Sequence, residues 1–135
     1  MSKNELPVFK QTFDVQPEHI DDLNHVNNVI YVQWVNDIAV AHWKEVATEH
    51  LLDTYNWFLI KHTIEYKSAA VLGDSIHVST YVGRATNVRY ERFVEIRNAK
   101  TDELLVKSTS DWCAVDQNGK PQRITDELRR VFEVD

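Results

Sequence analysis

The sequence predicts an α+β fold: an antiparallel sheet of about five strands wrapped around one long central helix. Three observations predict it. The second half of the chain alternates apolar and polar residues with a period of two, broken at short intervals by turn residues. Residues 26 to about 50 are apolar most of the way round a helical cylinder and exceed the usual length of a strand. With only three glycines and three prolines in 135 residues, there is no room for a flexible linker, and a single domain over residues 1–135 is expected.

The elements follow in order. "VFKQTFDV", residues 8–15, is a candidate first strand. In the helix that follows, Val26, Ile30, Val35, Ile38, Ala39, Ala41, Val46 and Ala47 are apolar, and Tyr31, Trp34 and Trp43 add bulk. The polar stripe narrows to Gln33, Asn36, Asp37 and Lys44, as in a buried helix. Val-Ile-Tyr-Val favours a strand by propensity, but the length and the Asn/Asp cluster at its entrance decide for a helix. In "WFLIKHTIEYK", residues 57–67, Phe58, Ile60, Ile64 and Tyr66 are predicted to share the buried face. "SIHVSTYV" and "VRYERFVEIR" supply the next two strands and "ELLVKSTSDWCAV" the last. Turns fall at Gly73-Asp74, Gly83 to Asn87, Asn98 to Asp102 and Asn118-Gly119, and connections this short favour an antiparallel meander. A short C-terminal helix is capped by Thr125, with Asp126 and Glu127 in its first turn and Arg129-Arg130 at its end. One sheet with one buried helix leaves a sheet edge or face uncovered. A homodimer is therefore the minimum expected assembly, with a dimer of dimers as the alternative.

Composition narrows the function. A formal charge of −6 argues against general nucleic-acid binding, which needs a basic surface, and disfavours an acidic carrier protein as partner. The single cysteine, Cys113, cannot form an intramolecular disulfide and reads as a small buried residue. No apolar signal segment occurs in MSKNELPVFK, so a cytoplasmic location is expected. The apolar stretches are too short and interrupted to span a bilayer, so no membrane partner is expected.

Chemistry concentrates in "DDLNHVNNVIY", residues 21–31, at the helix entrance. A helix N-terminus exposes unpaired N–H groups and carries roughly half a positive charge. It can stabilise the oxyanion formed when a carbonyl is attacked. A carboxylate beside it can activate water or attack directly, while His25 and Asn27 can orient a water or a carbonyl. Asp21, Asp22 and Asn24 are equally favoured helix caps, so capping without catalysis stays open. An Asp-Asp-x-x-His metal site is conceivable, but no HExxH motif or cysteine pair supports it. His42, His62 and His77 are isolated and read as structural or surface residues, and His19 lies close enough in sequence to share the pocket. Arg84, Arg89 and Arg92, with Thr86 and Asn87 in the connecting turn, form a local basic region that could hold phosphates; a solvated hairpin is the equal alternative.

"DDLNHVNNVIYVQW" resembles the helix-entry motif of hotdog-fold acyl thioesterases, specifically the 4-hydroxybenzoyl-CoA thioesterase-like group and its relatives acting on acyl-carrier protein. In that group an Asp stands four residues before the His of a His-Val-Asn-Asn-x-x-Tyr run. Here the run is Asp21 before His25-Val26-Asn27-Asn28, closed by Tyr31. "IEYKSAAVLGDSIHVSTYV", "GRATNVRYERFVEIRN" and "WCAVDQNGKPQRITDEL" are similar to later strands and turns of the family, so the resemblance covers nearly the whole chain.

The resemblance implies a hotdog fold and hydrolysis of an acyl thioester to free acid and thiol. Asp21 would be the general base or nucleophile, helped by His25 and Asn27, and backbone N–H groups around Asn24 to Val26 would receive the oxyanion. Asn28 and Tyr31 would complete the substrate site; with such a substrate, the phosphates that the basic region of Arg84, Thr86, Asn87 and Arg89 could hold are those of coenzyme A. No cofactor is implied. Two departures stand out: Asn24 replaces the Gly found before the His in many members, and Leu23 stands where plant carrier-protein enzymes have Asn. Asn tolerates the left-handed backbone such a turn requires. Asp22 is a rival for the carboxylate role. The substrate is expected to be acyl-CoA, with acyl-carrier protein, a non-catalytic acyl-binding protein, and a dehydratase or isomerase as alternatives.

Overall fold

The computed structural model describes residues 8–133. Strand β1 (Phe9–Asp14) leads through a 3-10 turn (Pro17–His19) to helix α1 (Asn28–Val46). Asn27 is the N-cap of α1, its side chain accepting from the Val29 N–H at 3.0 Å. The helix starts two residues later than its apolar pattern suggests, because Val26 is drawn into a bridge with Ile20 and gives its N–H to the Ala70 carbonyl at 2.9 Å. It also ends sooner. Ala47 is extended, and Thr48 caps a separate helix α2 (Glu49–Thr54) by accepting from the Leu51 N–H. The single helix expected to about residue 50 is thus two, split at a Thr that caps better than it propagates.

Strands β2 (Asn56–Tyr66), β3 (Ser75–Thr86), β4 (Arg89–Asn98) and β5 (Leu104–Val115) complete one antiparallel sheet in the order β1-β3-β4-β5-β2. The expected meander holds for β3, β4 and β5 only. β2 pairs with β5 at the far edge, so the segment 67–74 must cross back to start β3. Two bulges correct the expected registers. One between Leu59 and Lys61 shifts the phase of β2: Trp57 and Ile64 are half-buried, whereas Phe58 and Ile60, expected inside, are 52% and 48% exposed. The other, between Val82 and Ala85, lets β3 continue through the predicted Gly83–Asn87 turn as far as Thr86, leaving Asn87, at φ 51°, to turn the chain.

Helix α1 lies on one face of the sheet, burying Tyr31, Trp34, Val35, Ile38, Ala39 and His42. Its opposite side, expected to be buried as well, leaves Val29, Val32 and Val40 exposed within the chain. Two apolar cores result. One gathers around Tyr31, Trp34 and Ile38 with Ile76, Val78, Val94 and Ile96. The other joins Leu51, Val82, Tyr90 and Ala114 to Leu128 and Phe132 of helix α3 (Asp126–Glu133), whose Leu128 N–H is capped by Thr125 Oγ1. No helix among the described residues is long and apolar enough to cross a membrane.

Candidate active site

Residues 20–26 fold into a tight loop at the entrance of α1. Its ends are tied by the Ile20–Val26 bridge and by the Asp21 N–H donating to the His25 carbonyl at 2.9 Å. Asn24 closes the turn at φ 64°, the left-handed conformation that Asn accepts in place of Gly. The Asp21 carboxylate is folded into this loop: Oδ1 accepts from the Leu23 N–H at 2.9 Å and sits 3.4 Å from the His25 N–H. Oδ2 accepts no hydrogen bond among the described residues. Asp21 is half-buried; Asp22, Leu23, His25, Asn27 and Asn28 are exposed. The loop thus holds one carboxylate oxygen by backbone donors and leaves the other free beside the positive end of α1.

The expected oxyanion donors are largely engaged. The Asn24 N–H donates to the Asp21 carbonyl and the Val26 N–H to Ala70, so neither is available in this arrangement. What remains at the mouth is the His25 N–H, held only at 3.4 Å, and the Asn28 N–H at the first helical position, which has no acceptor among the described residues.

Tyr31 is 1% exposed, and its hydroxyl accepts from the Ala70 N–H at 2.8 Å. This corrects its expected place as a substrate contact. Together with the bond from Val26 to the Ala70 carbonyl, it clamps the 67–74 crossover onto the helix mouth. Burial pushes the Tyr31 phenol above its ordinary pKa; the Ala70 N–H opposes this, and the carboxylates of Asp74 and Asp21 reinforce it. Ala70 carries no signal in sequence that would mark it. His19 likewise supports the site: its Nδ1 accepts from the Gln16 N–H, its ring meets Trp34 edge-on at 5.2 Å, and its carbonyl accepts from Asn27 N–H.

A trough runs from the mouth between α1 and the β5–β2 edge. It encloses about 250 Å³ and is lined by Val29, Val32, Gln33, Leu59, His62 and Trp112 among others. His62, unremarkable in sequence, faces this space; its Nε2 lies 2.8 Å from Ser108 Oγ, and burial lowers its pKa. Trp112 also lines a second, larger cavity farther along α1.

The basic region does not join this site within one chain. β3 runs from Ser75, beside the mouth, to Thr86, so Arg84, Thr86, Asn87 and Arg89 stand at the other end of the sheet, roughly 35 Å away at the rise of a strand. Arg89 is paired with Asp111 at 3.0 Å. Arg92 is not part of a surface patch: it is 6% exposed and points to the helix side of the sheet, with His42 as partner. Among the described residues no three His, Cys, Asp or Glu side chains gather closely enough to hold a metal ion.

Comparison with known proteins agrees with this architecture. The chain superposes on a thioesterase from Thermus thermophilus, complexed with coenzyme A and Zn, with a TM-score of 0.83 at 16% identity, covering 96% of this chain and 100% of that one. A 1,4-dihydroxy-2-naphthoyl-CoA thioesterase from Synechocystis gives 0.80 at 14% identity, covering 93% and 96%. The 12:0-ACP thioesterase from Umbellularia californica gives 0.78 at 20% identity; 95% of this chain spans 54% of that one. No curated protein matches the sequence. The profile of the acyl-ACP thioesterase N-terminal domain matches residues 7–132, so the chain belongs to that family of hotdog-fold thioester hydrolases.

Proposed function

We propose that this protein hydrolyses an acyl-CoA thioester, with Asp21 as the general base or nucleophile at the N-terminus of α1. The observation that carries the reading is the Asp21 carboxylate, with one oxygen held by backbone donors and the other free beside the helix end. A thioester carbonyl placed at the Asn28 and His25 N–H groups would have its oxyanion stabilised there while Asp21 Oδ2 reaches the attacking water. Hydrolysis adds the water oxygen to the acyl carbon and breaks the C–S bond. The proton taken by Asp21 then passes to the departing thiolate. The acyl chain has the trough along Val29, Val32 and Leu59 to occupy.

The site is best read as one half of a dimeric one. β2 is an edge strand eleven residues long with Phe58, Leu59 and Ile60 exposed, an edge that soluble proteins cover. Two-fold antiparallel pairing through β2 would bring the Arg84–Arg89 tip of one copy to the end of the sheet where the other copy has its helix mouth. There, Arg84 could meet coenzyme A phosphates. The naphthoyl-CoA thioesterase and the coenzyme A-bound thioesterase among the neighbours favour CoA, the family profile an acyl-carrier protein, and the net charge of −6 favours CoA between them.

Free-thiol release from a panel of acyl-CoA and acyl-carrier-protein thioesters, with Asp21→Asn and Asp22→Asn beside the native chain, tests this directly. Turnover lost only in Asp21→Asn, with the fold intact, is the expected result. Native activity in Asp21→Asn would leave the carboxylate a brace of the 20–26 loop and overturn the assignment.

A further inference from the structure

The helix-facing side of the sheet is mostly apolar but carries one staggered row of buried polar residues. Thr80, Arg92, Ser108 and Ser110 are buried there between the two apolar cores, and His42 meets them from α1. Arg92 dominates the row. Its Nη1 donates to His42 Nδ1 and to Thr80 Oγ1, both at 2.9 Å, and its guanidinium lies 5.8 Å from the centre of the Phe132 ring. Arginine can only donate, so His42 presents Nδ1 as a lone pair and stays neutral. Arg92 forms no ion pair among the described residues, although a buried arginine ordinarily has a counter-charge. Its Nε and Nη2 have no acceptor there either.

Arg92 forms part of the wall of the larger cavity along α1, about 400 Å³, within the ~300–1,000 Å³ range of small-molecule sites. Trp43, Trp57 and Trp112 make much of the remaining wall, and the ammonium-bearing Lys44 stands at the rim. The Trp57 indole N–H is buried there with no acceptor. Glu91, also at the edge, is engaged elsewhere, its Oε1 accepting from the Arg84 N–H at 3.2 Å. A cation without an anion, set in the wall of an aromatic-lined cavity, describes a site for an amphipathic acid.

We propose that this cavity binds an organic acid, its apolar body between the tryptophans and its carboxylate on the Arg92 guanidinium. For a free acid the inference is independent of the thioester chemistry at the helix mouth; for an acyl-borne acid it rests on that reading. The carboxylate could belong to a free acid or to the far end of an acyl group still joined to its thiol.

The tryptophans supply the assay. Titrating the intact protein with decanoate should change their fluorescence saturably, and decanol of the same chain length should bind on the order of tenfold to a hundredfold more weakly, the effect of a charge-assisted hydrogen bond. Arg92→Met should erase that preference while decanol binding persists. Val40→Trp, at an exposed position of the cavity wall, should weaken both ligands without touching the buried row. Equal binding of decanoate and decanol by the native protein overturns the proposal, as does a preference that survives Arg92→Met or binding unaffected by Val40→Trp. Displacement of bound decanoate by a non-hydrolysable CoA thioether carrying an ω-carboxydecyl chain assigns the acyl-borne acid; failure to displace it assigns the free acid.

Discussion

Replacing Tyr31 by Phe separates a structural clamp from a substrate contact. The hydroxyl accepts the Ala70 N–H at 2.8 Å, and Ala70 is fully buried, so the variant leaves that N–H without an acceptor or water. The ring remains, still packed edge-on against Trp34 at 5.4 Å, and no large cavity opens. The cost is then that of an orphaned buried donor, about 1–3 kcal/mol. In a domain of this size that lowers the melting temperature by roughly 4–12 °C. Chemical denaturation gives the free energy, and hydrogen exchange at the Ala70 amide reports the same bond locally. Thiol release should fall only as far as the mouth loosens, since the Val26 bond to the Ala70 carbonyl survives. Stability within about 0.5 kcal/mol of native, with unchanged Ala70 protection, would refute the clamp. Loss of turnover at native stability would return Tyr31 to the substrate site.

Three further outcomes follow from the same structure. Burial, with Arg92 adjacent, lowers His42 to a pKa of about 4, so its folded pKa lies below the unfolded value and the side chain stays neutral. Its contribution is present above about pH 6.5 and is lost as pH falls toward 4, roughly 3 kcal/mol in all. His42→Asn should flatten that part of a denaturation-versus-pH profile. Gly83→Ala would drive a methyl into the Glu91 carboxylate and to 2.7 Å from Phe93 Cε2, a ring stacked on Tyr81; calorimetry should show a loss of about 1–3 kcal/mol. Ile60→Lys, on the exposed β2 edge, should shift sedimentation from dimer to monomer, and a native chain that sediments as a monomer would remove the dimeric reading.

Much of the fold and the helix mouth was legible from local pattern. Period-two alternation marked the strands of the second half, the Thr125 cap marked α3, and the Asp-x-x-x-His-Val-Asn-Asn run marked the entrance of α1, although the cap is Asn27 and not Asp21, Asp22 or Asn24. These are properties of neighbouring residues, since side-chain period and cap hydrogen bonds act over a few positions.

Other features were set by partners distant in the chain. The β2 bulge that turns Phe58 outward and the pairing of β2 with β5 depend on which strand lies alongside. Tyr31 and Ala70, 39 residues apart, form the clamp, and Thr80, Arg92 and His42 come from two strands and a helix to make the buried polar row. In sequence Arg92 groups with Arg84 and Arg89 as a basic hairpin. In the structure it faces inward, because alternation along β4 sends Arg89 and Arg92 to opposite faces. Local sequence determined the elements and their caps. Only the tertiary structure decided which charges met solvent and which were buried without an ion-pair partner, because burial depends on what packs across the sheet.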